Sequence, residues 1–163
     1  MAQVPTGSTF YVASTIASAK TTTIVTNASE AVVTSAAHGY SNGDFVIITS
    51  GWGRIHKRSF RIKTVTTDTF VLEGCDTSST TYFPAGTGVG TVSKVSTFTQ
   101  ITTVMNPSSS GGDPKTVEYK FIESEIAYQI NDGFSATSYT LDLDADSIGT
   151  AGYTALKALT DVQ

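Results

Sequence analysis

The chain is poor in the residues that carry most protein chemistry. Of 163 residues, one is cysteine, two are histidine, one is tryptophan and four are proline. A lone cysteine, Cys75, cannot close an internal disulfide and reads as a small, partly buried hydrophobe, compatible with folding in a reducing compartment. His38 and His56 lie in or beside Gly-rich turns, with no cysteine or second histidine at ligand spacing, so both read as turn or surface residues. No Gly-x-Ser-x-Gly elbow accompanies the serines, which removes the usual frame of a serine hydrolase. Charge is also scarce: 10 basic and 14 acidic side chains leave a net −4. Such a surface does not hold nucleic acid by neutralising phosphates, though it suits a surface past which nucleic acid moves without sticking. No apolar run approaches the ~20 residues of a membrane helix. The start, MAQVPTGSTF, lacks the basic and apolar stretches of a signal peptide. The expectation is a soluble protein that is not an enzyme, with no cofactor and no metal.

What the chain has instead is 28 threonines and 19 serines, with valine throughout and glycine as punctuation, a texture of strands and turns. Phe10-Tyr11-Val12 reads as a first strand, residues 13–20 as a loop or short helical turn, and Thr21–Thr26 as a strand. From residue 27 to 95, short strands alternate with turns every eight to twelve residues: Ala31–Thr34, Phe45–Thr49, Ser59–Val65 and Thr69–Leu72. That spacing indicates a small barrel or sandwich. Residues 78–90 read as loop, with Tyr82-Phe83-Pro84 as a hydrophobic plug. Thr91–Met105 returns to strand, and Asn106–Pro114 (NPSSSGGDP) reads as a flexible loop. Thr150–Asp161 is the one helix candidate, with Tyr153, Leu156 and Leu159 on one side and Ala155 beside them. At that length it must dock on a sheet to persist.

The stretch 116–146 (TVEYKFIESEIAYQINDGFSATSYTLDLDAD) reads as two alternating strands. Ile126, Tyr128 and Ile130 fall on one face of the first, opposite Glu123, Glu125 and Gln129. In the second, Tyr139, Leu141 and Leu143 alternate with Thr140, Asp142 and Asp144. Asn131-Asp132-Gly133 supplies turn chemistry between them. Paired directly, the strands would carry one apolar face and one face bearing four carboxylates.

Other motifs say less. Asp142-x-Asp144-x-Asp146 lacks the glycine and distal glutamate of a calcium loop and reads as a solvated acidic face. Gly86-Thr87-Gly88-Val89-Gly90 has the glycines of a dinucleotide loop but is followed by strand residues, not a helix. The basic run Arg54–Lys63 (RIHKRSFRIK) is the only positive cluster and reads as a solvated or subunit-pairing face. Residues 1–95 hold seven basic and five acidic residues, a balance of +2, whereas 96–163 hold three and nine, a balance of −6. The asymmetry suggests two units with different neighbours.

These residues carry a resemblance. Thr97-Phe98-Thr99-Gln100-Ile101, Gly111-Gly112-Asp113-Pro114-Lys115, Glu118-Tyr119, Ile130-Asn131-Asp132-Gly133, Ser138 to Asp144 and Gly152 to Lys157 together resemble the tail tube proteins of long-tailed, siphovirus-like bacteriophages. Residues 34–74 resemble a small β module inserted in phage structural proteins, through His38-Gly39, Gly43-Asp44, Phe60 and Asp68-Thr69-Phe70. The resemblance implies a mainly β fold: a tail-tube-type β-sandwich or barrel core with one helix, built from 1–26 plus 96–163, and an inserted small β-barrel module over 27–95. It also implies further strands past the helix, so the core is expected to be incomplete at the C-terminus.

In function it implies a structural subunit of hexameric rings stacked into a conduit for DNA ejection, assembled in the host cytoplasm and carried in the virion tail. The partners would be further copies of itself, tail-tip or initiator, tape measure and terminator proteins, and passing DNA bound without sequence preference, with no membrane. Glu123, Glu125, Asp142 and Asp144 are then expected to line the lumen, where carboxylates repel phosphates. The loop containing Ser108, Ser109, Ser110, Gly111, Gly112, Asp113 and Lys115 is expected to reach the adjacent ring. Alternatives are another tube-fold component, such as a terminator or baseplate ring, or a carbohydrate-binding adhesive module using Trp52 and Tyr82.

Overall fold

The computed structural model describes residues 7–161, which form two compact units. One is Tyr11–Thr99 and the other is made of residues 7–10 and 100–161. The fold is mainly β with one α-helix.

The first unit is one antiparallel sheet that curls on itself. Its strands are β1 (Phe10–Ile16), β2 (Lys20–Thr22), β3 (Ile24–Val25), β4 (Val32–Thr34), β5 (Phe45–Ser50), β6 (Arg58–Lys63), β7 (Thr69–Leu72) and β8 (Gly90–Ile101). The order is β1-β8-β5-β6-β7-β4-β3, with β2 also on β8. The expected single strand over Thr21–Thr26 is therefore split. β2 pairs with β8 and β3 pairs with β4, so the chain crosses from one edge of the sheet to the other at Thr23 and closes it. Closure leaves fewer exposed edges than an open sheet, with β1 paired on one side only among the described residues. Residues 11–26, placed by the sequence reading with 96–163, lie in the same compact unit as 27–99, and 20–25 pair with strands of that sheet.

Period-2 alternation fills the barrel. Val46, Ile48 and Ser50 of β5 point in, as do Phe70 and Leu72 of β7 and Ile62 of β6, joined by Val33, Val92 and Ala31. Phe45, at the start of β5, is outside and packs edge-on to Phe98 at 5.6 Å. Trp52 plugs one end, 1% exposed, and its indole N–H donates to the Pro84 carbonyl at 2.8 Å and Thr87 Oγ1 at 3.0 Å. Phe83 meets it edge-on at 5.2 Å, so the expected plug is Phe83, while Tyr82 stays exposed. Buried Thr77 and the amide of Asn27 staple this loop to the β3–β4 connection through four bonds of 2.7–2.9 and 3.2 Å. His38 is a correction to the turn-or-surface reading. It is 3% exposed, Nδ1 accepts from the Tyr40 N–H, and the ring packs against Tyr40 and Phe70.

The second unit contains β9 (Val104–Ser110), β10 (Pro114–Tyr119), β11 (Tyr128–Phe134), β12 (Ser138–Leu143), a 3-10 turn (Ala145–Ser147) and α1 (Ala151–Thr160). The helix begins where expected: Thr150 caps it, accepting from the Tyr153 N–H and holding the Ser147 carbonyl. Its packed side is Gly152, Tyr153, Ala155 and Leu156, whereas Leu159 is exposed.

Candidate assembly site: a kinked two-stranded arm

The strands of 104–143 do not pair as their sequence suggests. β11 and β12 are not neighbours: β10 pairs with β11, and β12 pairs with β9, both antiparallel. The two ladders run in nearly one register, Ser138 opposite Ser110 and Phe134 opposite Pro114, and are joined by Ser135 N–H to Asp113 O at 2.8 Å and Gly112 N–H to Ser135 O at 3.3 Å. The result is one long hairpin, with up to about 50 Å of chain on each side at the usual strand rise. Its tip is residues 120–127.

Two expectations change for stated reasons. Asn106–Pro114 is mostly strand, because each of Asn106 to Ser110 finds a partner between Ser138 and Asp142. Only Gly111-Gly112-Asp113 breaks the ladder. There both glycines take positive φ (92° and 82°), and a side chain at Gly111 would run into the Ala136 carbonyl. Asn131-Asp132-Gly133 is not a hairpin turn but a bulge inside β11, two residues facing Lys115 alone, with Gly133 at φ 97°. Turn residues and bulge residues share the same need for left-handed backbone, so composition could not separate them.

The two ladders have opposite characters. In β9–β12, Pro107 and Leu141 share a face with Ser109 and Tyr139; the other face carries Asn106, Ser108, Ser110, Ser138, Thr140 and Asp142. That second face is wholly polar, with one carboxylate, and Leu141 and Leu143 are the half-buried residues of β12. In β10–β11, Val117, Tyr119, Tyr128 and Ile130 share one face and Thr116, Glu118, Gln129 and Asn131 the other. The apolar face is bare: Val117 is 53% and Ile130 57% exposed. Tyr119 and Tyr128 stack at 5.6 Å, and Phe121 closes against both at 5.4 and 6.1 Å. Ile122 and Ile126 at the tip are also exposed.

Of the expected lumen residues, the structure brings none of the four onto a common ladder. Asp142 stands on the polar face of β12, opposite Asn106. Asp144 follows the strand and caps the 3-10 turn, its carboxylate accepting from the Asp146 N–H at 3.2 Å. Glu123 and Glu125 lie in the tip, outside both strands. Of the expected inter-ring residues, Ser108 and Ser110 join the polar face, Ser109 faces the other way, Gly111, Gly112 and Asp113 form the kink, and Lys115 faces the bulge. The apolar face of β10–β11 was missed because its turn was misplaced. Val117 and Tyr119 alternate as clearly as Tyr128 and Ile130, and that was the available signal.

A family model described as phage tail tube protein matches residues 50–163, well over half of the chain. The chain belongs to the phage tail tube protein family. The match takes in the whole kinked arm, the helix and the barrel from the end of β5 onward. A comparison with curated proteins gave no match. This tail tube protein is therefore a structural component of a phage tail, from a family that is not an enzyme family, and its partner is a further copy of itself. No helix among the described residues is long and apolar enough to cross a membrane.

The barrel's basic run divides in this tail tube protein. Lys63 reaches Glu30 at 2.8 Å and Arg61 reaches Glu73 at 3.6 Å, while Lys94 bonds Asp44 at 2.6 Å. The hydrogen bond from Lys63, helped by the Gly74 N–H, holds the Glu30 carboxyl below its ordinary range and raises Lys63 in return. Arg54 and Arg58 have no carboxylate within 4.0 Å among the described residues. Burial pushes the Cys75 thiol up, away from the thiolate form that reacts. The expected Trp52–Tyr82 sugar platform does not exist, because Trp52 is inside.

Proposed function

We propose that this protein builds hexameric rings that stack into the DNA conduit of a siphovirus-like tail, and that the kinked arm joins one subunit to the next. The observation that carries the reading is the arm's bare apolar face. A lone two-stranded ribbon is marginal in water, and this one exposes Val117, Tyr119, Tyr128 and Ile130 along one face, with Phe121 against the tyrosines and Ile122 exposed at the tip. Neither strand of either ladder has a second strand partner among the described residues. Free edges and an apolar stripe are what a neighbouring copy would cover, in the manner of strand addition.

The polar ladder of β9–β12 then supplies the lumen wall, with Asp142 on its face and Asp144 at its end, while Glu123 and Glu125 would face the lumen separately from the far tip of the arm. Serine and threonine offer DNA no counterion-releasing contacts, and the carboxylates repel phosphate. The Gly111-Gly112 kink sets the angle between lumen ladder and contact ladder, and residues 108–115 contact the adjacent ring. Assembly would occur in the host cytoplasm on a tail-tip initiator, around a tape measure protein and up to a terminator.

The test is negative-stain electron microscopy with light scattering of concentrated wild-type protein and of Ile130→Asp. Wild-type rings or tubes, lost in the variant while its far-UV circular dichroism, which includes the strands and helix of the arm-bearing unit, stays native, are the expected result. Tubes formed equally well by Ile130→Asp would overturn the role given to the arm.

A further inference from the structure

A groove of about 580 Å³ opens between the β5–β6 turn and the loop following β7. Its volume falls in the range of small-ligand sites. Its floor is Ile55, Cys75 and Phe83, all buried, and the Trp52 bonds to Pro84 and Thr87 hold the outer loop in place. Gly88 lies so close that a side chain there would meet the Trp52 ring at 2.7 Å, so loop and barrel are closely fitted.

The walls carry uncompensated cations beside aromatic rings. The Arg54 guanidinium sits 3.8 Å over one face of Tyr82, and Arg58 lies 6.0 Å from the Phe60 ring while donating to the Arg54 carbonyl at 3.2 Å. Arg61 and Lys63 of β6 are paired with Glu73 and Glu30; among the described residues Arg54 and Arg58 have no carboxylate within 4.0 Å. Tyr82 remains 56% exposed, leaving ring surface for a ligand. Asp76 also lines the groove, accepts the Ser78 N–H at 2.8 Å and has acceptor capacity left, with Ser78 and Ser79 lining the groove beside it.

We propose that this groove binds an acidic saccharide, a hydroxylated ring bearing one carboxylate or phosphate. The two guanidiniums meet the oxyanion through charge-assisted hydrogen bonds. Tyr82 packs on the apolar face of the ring. Asp76 decides between ligand classes. A bare oxyanion or an acidic peptide segment would be repelled by it, whereas sugar hydroxyls donate to it. The proposal does not rest on the tube assembly and would hold for a monomer.

The experiment is calorimetric titration of the full chain at low salt with trigalacturonic acid, its neutral methyl ester, inorganic phosphate and a synthetic peptide of residues 119–128. The acid is expected to bind and the ester to bind at least about tenfold more weakly, as are Arg54→Gln and Arg58→Gln with the acid. Asp76→Asn is expected to weaken the saccharide and strengthen phosphate, a change of opposite sign that loss of fold cannot produce. Unchanged tryptophan emission verifies each variant. Equal binding of acid and ester, indifference to both arginine substitutions, or phosphate or peptide binding as tightly as the saccharide would each overturn it.

Discussion

Gly88→Ala is the substitution whose outcome the geometry fixes most tightly. A Cβ built at Gly88 lies 2.7 Å from Trp52 Cε2 and 2.8 Å from Cδ2 and Cζ2. Carbon atoms rest at about 3.5–4.0 Å, so the indole or the loop must move by about 0.7–1 Å. The ring has nowhere to go, being 1% exposed, and its N–H is committed at 2.8 and 3.0 Å to Pro84 and Thr87. Overpacking of this kind costs about 1–3 kcal/mol, and losing the indole hydrogen bond adds about 0.5–1.5. The sum, about 1.5–4.5 kcal/mol, corresponds to a urea midpoint lowered by about 1–2 M at a slope of about 2 kcal/mol/M. Trp52 is the only tryptophan, so its emission reports this unit alone. Gly53→Ala is the control: nothing lies within 4 Å of its Cβ and its φ is ordinary, so its midpoint should stay or rise slightly. Coincident midpoints for wild type and Gly88→Ala would refute the close fit of loop and barrel.

Two further outcomes follow from named contacts. Gly152→Ala should destabilise the helix although alanine is favoured over glycine by about 1 kcal/mol in a helix interior, because its Cβ meets the Gln100 carbonyl and, at 2.9 Å, the Ile101 Cα; a gain in helical circular dichroism or melting temperature would contradict this. Glu30→Gln should lower the melting temperature slightly at neutral pH. Glu30 is depressed by Lys63 and Gly74, so its contribution is present above the ordinary value of about 4.3 and is lost as pH falls through the lower folded value. The difference between wild type and variant should therefore close in acid and shrink in high salt, and a gap constant from neutral pH into acid would exclude the pair as its cause.

Local pattern decided much of this molecule. The strands over Phe45–Thr49 and Thr69–Leu72, the turns around His38-Gly39 and Gly43-Asp44, and the helix after Thr150 each follow from apolar and β-branched composition, turn chemistry and side-chain period within a few residues, and the structure bears them out. The mainly β class and the family were legible for the same reason. Partners were not. Thr21–Thr26 reads as one strand because all its residues favour extended backbone; only the closure of the barrel assigns Lys20–Thr22 to β8 and Ile24–Val25 to β4. Asn131-Asp132-Gly133 announces left-handed backbone, but turn and bulge demand it equally, and the choice depends on which strand lies opposite. His38 looked like a surface turn residue until Phe70 and Tyr40 closed around it. Most extended segments and the helix were legible in the chain because backbone preference and side-chain period are short-range properties, whereas Asn106–Ser110 and Asn131–Gly133 joined strands through partners far away in the chain. Register, the kinked arm and the pairing of Arg61 and Lys63 but not Arg54 and Arg58 were decided only by the tertiary structure, because each depends on contacts between residues far apart in the chain.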